Sequence, residues 1–201
     1  MKHAALEVWR QMFHLLFGIL IIMFILFTEH DIVLITLFLL FLLSVLFSII
    51  ATKTKVPIIR FLLEKFGRDT EIKTFPGKGI IFFIAGCLLT FKLFQQDIAL
   101  ASIAVLTFGD AISTLAGFFG QKYKKKPFSK FKTLYGTMIG TVVSFLVALI
   151  FIEPLYAATA AIFGMFIEAL AIKLGETEAD DNLIVPLASG TACYLLRFVL
   201  G

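Results

Sequence analysis

Charge is scarce in these 201 residues. Asp, Glu, Lys and Arg together make up 16%, against about a quarter of an average soluble domain. Tryptophan occurs once and cysteine twice. Cys87 and Cys193 stand far apart, each inside an apolar run, with no Cys-x-x-Cys spacing and no nearby His. That excludes a disulfide framework or a thiolate metal site as the organising device. No Gly-Lys-Ser/Thr phosphate loop and no protein-kinase signature set is present, so a nucleotide site here has to be of another kind. There is no long-range repeat, no low-complexity segment and no linker that would divide the chain, so residues 1–201 are read as one domain.

What is abundant is apolar surface. Hydrophobic residues make up 60%, Phe alone contributes 24, and mean hydropathy is +0.99. A water-soluble fold is excluded by this composition. The apolar runs fall at 12–28, 31–51, 79–94, 97–119, 136–152, 154–172 and 183–199, each near the roughly 17–25 residues that a spanning helix needs. The expected fold is an all-α polytopic membrane protein of about seven transmembrane helices. Lys2 and Arg10 precede the first run as in a signal peptide, but no small-residue cleavage site follows, so this helix is expected to be retained.

Alternating the runs across a bilayer with the N-terminus inside makes 52–78, 120–135 and 173–182 the inner loops. Of the 18 Lys and Arg, only Lys92 and Arg197 then fall at the outer end. The positive-inside rule therefore predicts a cytoplasmic N-terminus and a C-terminus outside. The net charge of +4 sits in short loops and suits anionic headgroups or a phosphorylated ligand; nucleic acid is not an expected partner. In the first inner loop Ile59, Leu62, Leu63 and Phe66 recur at helical spacing opposite Arg60, Glu64 and Arg68. That pattern fits either an interfacial helix over 56–67 or an extension of a spanning helix.

Ionisable residues inside spans are costly and mark function first. Asp110, in the fourth span, and Glu168, near the inner end of the sixth, are the two that qualify, although pairing that merely fixes helix packing is the alternative. The loop after the fourth span carries six lysines, Lys122 to Lys132, then Thr133, Gly136 and Thr137. Glycines and lysines at the start of a helix suit phosphate oxygens. A basic loop that only sets topology is equally compatible, and Gly136 with Gly140 is also spaced for close helix packing. Asp180, Asp181 and Asn182 form an acidic turn suited to a hard divalent cation such as Mg2+, or to plain solvation. An intramembrane Asp, a Lys/Gly/Thr loop and an Asp-Asp-Asn turn on one face are the parts that phosphoryl transfer requires.

In their order these residues resemble a known family. Gly109-Asp110-Ala111, Gly117 and Gly120, Lys132-Thr133-Leu134-Tyr135-Gly136-Thr137, Glu168 and Asp180-Asp181-Asn182-Leu183 are similar to the motifs of the dolichol kinase and phytol kinase family. Arg10 to His14 with Gly18, and Lys78-Gly79 with Gly86, extend the resemblance over most of the chain, strongest at 109–183. The resemblance implies a polytopic enzyme that moves the terminal phosphate of CTP to an isoprenoid alcohol, or in one branch to diacylglycerol, with a divalent cation. The related CDP-diacylglycerol synthases carry Lys-Asp and His-Gly-Gly elements that this sequence lacks, so a CDP-lipid synthase ranks lower. Tyr135 stands where the family often has an acidic residue.

The resemblance further implies that Asp110, Asp180 and Asp181 hold the metal, while Gly109, Lys122, Lys132, Thr133, Gly136, Thr137 and Asn182 contact the nucleotide. Asp110 or Glu168 would orient the alcohol or take its proton, and Arg10, His14 and Lys78 are candidates for lipid or headgroup contact. The competing class is a small-molecule or ion transporter, in which intramembrane acids are also at home.

Overall fold

The computed structural model describes residues 2–53, 75–120, 133–170, 173–174, 177–178 and 180–200. Its helices are α1 (Lys2–Phe27), α2 (His30–Lys53), α3 (Lys78–Leu93), α4 (Gln96–Phe119), α5 (Leu134–Ala148), α6 (Pro154–Leu170) and α7 (Asp181–Leu200). Two two-residue strands, β1 (Lys173–Leu174) and β2 (Thr177–Glu178), pair antiparallel between α6 and α7, with Lys173 opposite Glu178. Among the described residues the fold is thus helical apart from one short ladder inside the expected third inner loop.

The expectation of about seven spans is overturned. Among the described residues four helices are long and apolar enough to cross a membrane: α1, α2, α4 and α7. The runs at 79–94, 136–152 and 154–172 became helices of 16, 15 and 17 residues. At about 1.5 Å per residue these reach only about 22–26 Å, short of a hydrocarbon core of about 30 Å. The physical reason lies at their ends. Gly77, in the left-handed conformation at φ 77°, and Pro76 delay the start of α3. The last residues of the fifth run leave α5 through tight turns at Ile150 and Phe151, and Pro154 restarts the chain as α6. The expected interfacial helix at 56–67 lies outside the described residues.

Successive helices run antiparallel, and their connections differ at the two ends of the bundle. At one end the turns are short: Thr28–Glu29, Phe94–Gln95 and Leu149–Glu153. There Arg197 of α7 holds Asp97 of α4 at 2.7 Å and Gln95 at 2.6 Å, and lies over the Tyr156 ring of α6. All three long connections attach at the opposite end.

Helix α4 is the axis of the molecule. Buried residues make up 72% of its span, against 17–28% for α1, α2 and α7. Ile98, Ile103, Val105 and Leu106 of α4 join Ile25, Val33, Leu37, Phe91, Met165 and Val185 in one core. Leu16, Leu20, Ile35, Leu43 and other large apolar side chains on α1 and α2 face outward and exposed. Helices that are apolar all round, with contiguous apolar exposure, are those of a membrane-associated, multi-helix protein.

Candidate functional site

Asp110 owes its place to a local departure from α geometry. Residues Val105–Asp110 of α4 form a π turn, and Asp110 closes it. A π turn shifts the side chains that follow around the helix, and such turns concentrate at functional sites. Here it leaves Gly109 buried against α5 and α6: a methyl added there would lie 2.2 Å from Ser144 Oγ and 2.6 Å from Met165 Sδ. Asp110 is turned instead toward α1, where Oδ2 stands 3.9 Å from His14 Nε2. The same nitrogen is 3.5 Å from the Leu106 carbonyl, and the His14 ring packs edge-on to Phe83 of α3 at 4.9 Å. The Asp110 side chain keeps 15% exposure.

Glu168, by contrast, is fully buried near the end of α6. Its Oε1 accepts a 2.9 Å hydrogen bond from Ser113 Oγ of α4. Ser113 stands one turn beyond Asp110, and its hydroxyl also lies 3.1 Å from the Asp110 carbonyl oxygen. The Asp110 carboxyl faces His14, whereas the Glu168 carboxyl and the main-chain carbonyl of Asp110 share Ser113, a residue absent from the sequence expectations. A hydroxyl three residues after an intramembrane Asp, on the same helix face, was the signal available for it.

The Lys-Thr-Leu-Tyr-Gly-Thr stretch opens α5 beside this pair. Thr133 caps the helix by accepting from Gly136 N–H at 3.1 Å, which uses one of the helix's first free donors within the protein. Gly136 is buried because α5 presses on α4: an added methyl would lie 2.3 Å from the Ser113 carbonyl oxygen. Gly117 receives the Thr133 hydroxyl in the same way, with a built Cβ at 2.7 Å. The Thr137 carbonyl is engaged by Thr141 Oγ1 at 2.8 Å. Lys122 and Lys132 lie outside the described residues.

The acidic turn and the third-helix basic motif meet each other. Asp180 Oδ2 is 3.6 Å from Lys78 Nζ, while Asp180 Oδ1 accepts from Asn182 N–H at 3.2 Å. Asn182 Nδ2 donates to the Gly79 carbonyl at 3.2 Å. Asp181 occupies the first turn of α7, where a carboxylate favours the positive end of the helix dipole. Lys78-Gly79 and Asp180-Asp181-Asn182 thus form one clasp between the starts of α3 and α7. Arg10 is ion-paired with Glu7 one turn away, and Gln11 donates to the same carboxylate at 3.1 Å.

All described candidates consequently lie at the end of the bundle that carries the long connections: the first half of α1, the starts of α3, α5 and α7, and the last half of α4 and α6. The antiparallel order of the helices produces this convergence whether or not each helix is long enough to cross. Among the described residues no group of three or more His, Cys, Asp or Glu could by itself enclose a metal ion. No family model and no solved structure matches the chain. One curated relative is the uncharacterized protein MJ1137 of Methanocaldococcus jannaschii, 30% identical over 205 residues that cover 96% of this chain and 99% of the relative.

Proposed function

The chain belongs to the family of that Methanocaldococcus jannaschii protein, whose name states no activity, and from the resemblance of its motifs to the dolichol kinase and phytol kinase family, together with the placement of Asp110 and Glu168, we propose a CTP-dependent lipid kinase acting on an isoprenoid alcohol. The observation that carries the reading is the approach of two intramembrane acids: Glu168 is bonded by Ser113, one helical turn after Asp110 on α4, at the end of the bundle where the lysine-rich connection leaves α4. Structural pairing alone gives no reason to keep two acids toward the end of an apolar bundle where a lysine-rich connection leaves it. The positive-inside rule then makes this end cytoplasmic, with the N-terminus inside. A soluble nucleotide arrives there from water and a lipid hydroxyl from the bilayer.

In this reading the alcohol oxygen forms a bond to the γ-phosphorus as the bridging bond to the β-phosphate breaks, and CDP leaves with the electron pair. The hydroxyl proton passes to a carboxylate, Asp110 or Glu168. Lysines of the 120–135 segment and Lys78 neutralise phosphate charge. A divalent cation arriving with CTP would spread the charge of the transferring group and would need only one or two protein carboxylates. Asp110 is exposed enough to be one, and Asp180 and Asp181 are the further candidates, Asp180 in exchange for Lys78. His14 faces the Asp110 carboxyl, and Asn182 keeps the start of α7 in place against α3.

Purified protein in detergent should move label from γ-labelled CTP into an organic-extractable polyprenyl phosphate, and a chelator should stop it. The released nucleotide distinguishes the neighbouring chemistries: a kinase liberates CDP, whereas a CDP-lipid synthase liberates pyrophosphate. Diacylglycerol in place of polyprenol tests the other kinase branch. CTP with Mg2+ at a hundred times its dissociation constant should stabilise the folded protein by about 2.7 kcal/mol. Label that stays in CTP across a panel of alcohols, with no shift in melting temperature, would reject the reading in favour of transport.

A further inference from the structure

We infer that Ser113 is the positioning residue for Glu168 and that Glu168, rather than Asp110, takes the proton of the acceptor hydroxyl; this rests on the kinase reading above. A serine hydroxyl carries one proton and donates it once. Ser113 Oγ has two acceptors in reach, Glu168 Oε1 at 2.9 Å and the Asp110 carbonyl at 3.1 Å. The hydroxyl donates to Glu168 Oε1, the shorter of the two contacts, and fixes that oxygen of the carboxyl.

The surroundings leave Ser113 little freedom. It is buried, at 5% exposure, and two glycines of α5 wall it in. A methyl at Gly140 would lie 2.8 Å from Ser113 Cβ, and one at Gly136 would lie 2.3 Å from the Ser113 carbonyl. These glycines let α5 close on α4 and keep the serine pointed at α6. Gly136 and Gly140, which the sequence offered as phosphate or packing residues, act here as the back wall of a slot for Ser113.

The burial of the two acids separates their tasks. A base serving a lipid hydroxyl works best away from water, since water at the same base would be phosphorylated in place of the lipid. Glu168 meets that requirement, being fully buried. Asp110 stands partly open beside His14, which suits a ligand for a cation arriving with a soluble nucleotide. When Glu168 takes the proton it becomes a neutral acid, and the Ser113 hydroxyl is released to turn to the Asp110 carbonyl. Proton transfer and the backbone of the metal-side acid are thereby joined through one rotor.

The test is a double-mutant cycle on label transfer from γ-labelled CTP to polyprenol, using wild type, Ser113→Ala, Glu168→Gln and the double variant. Glu168→Gln keeps a hydrogen-bond acceptor for Ser113 but cannot take a proton. Ser113→Ala should lower kcat about tenfold to hundredfold, the loss of one charge-assisted hydrogen bond, with both KM values held within about twofold. In the Glu168→Gln background the same change should lower kcat no further. Should Ser113→Ala fail to fold, Ser113→Cys, a weaker donor of similar size, should give an intermediate kcat. Losses that multiply in the double variant, or a Ser113 variant with unchanged kcat, would overturn the inference while the kinase reading stands. No transfer by the wild type to any lipid alcohol would overturn both.

Discussion

Asp110→Asn is expected to lower transfer of the CTP γ-phosphate by about a thousandfold or more, because the change replaces the partly open carboxyl beside His14 with a neutral amide and leaves its shape intact. The fold should survive. Asparagine fills the same volume next to His14, and the π turn that presents it is a backbone feature of Val105–Asp110. Removing an ionisable group from an apolar bundle relieves a desolvation cost, so the melting temperature should hold or rise. The informative comparison is therefore activity against melting temperature in one preparation. Full activity in the variant would remove Asp110 from the mechanism, and a collapsed melting temperature would assign it to packing.

The second large effect is expected where a backbone meets a backbone. A methyl built on Gly86 of α3 would lie 2.2 Å from the Asn182 carbonyl oxygen and 3.3 Å from Leu183 Cα of α7. No rotamer change relieves that contact, so α3 and the start of α7 must move apart. Gly86→Ala should cost about 1–3 kcal/mol, in the range of an overpacked core. Gly86→Val, with two further methyl groups, should prevent recovery of folded protein. Gly79→Ala, seven residues earlier on α3, supplies the control. Its nearest neighbour would be Asn182 Nδ2 at 3.7 Å, an ordinary contact, and alanine in place of a helical glycine gains up to about 1 kcal/mol. Equal melting temperatures for Gly79→Ala and Gly86→Ala would show that α7 yields at this point.

The clasp that Gly86 permits explains part of what was legible beforehand. Asp110, Glu168 and the Asp180-Asp181-Asn182 turn stood out because charge is rare in an apolar chain, and burial makes rare charge conspicuous. Alternating apolar runs were enough to bring them to one end. The roles assigned to them were less legible, since they depend on partners remote in sequence. Asp180 faces Lys78 and Asn182 faces Gly79, pairings that neither motif announces by itself. Thr133 and Gly136, read as phosphate contacts, close a helix cap and a helix crossing. Ser113 escaped notice for the opposite reason: serine is unremarkable in a helix until its neighbour across the crossing is known.

Span number was misread for a further physical reason. Hydropathy marks where a chain avoids water and is silent about where its helical hydrogen bonds stop. The run at 136–152 is apolar throughout, yet α5 ends at Ala148 in tight turns. The π turn was equally hidden, because the sequence Val105 to Asp110 carries no residue that enforces it. Only the crossings of α1, α5 and α6 around α4 reveal why the helix widens there.

The shortness of α3, α5 and α6 has a consequence for the lipid around them. Apolar helices about 4–8 Å shorter than a typical hydrocarbon core do not match it end to end, and where they pack against the four longer helices a bilayer would be drawn thinner at that flank. Thinning draws the headgroup plane inward, toward the depth of Glu168 at the end of α6. In the proposed kinase, a lipid hydroxyl would then reach the buried acid by deformation of its own leaflet, and the membrane would be a moving part of the site.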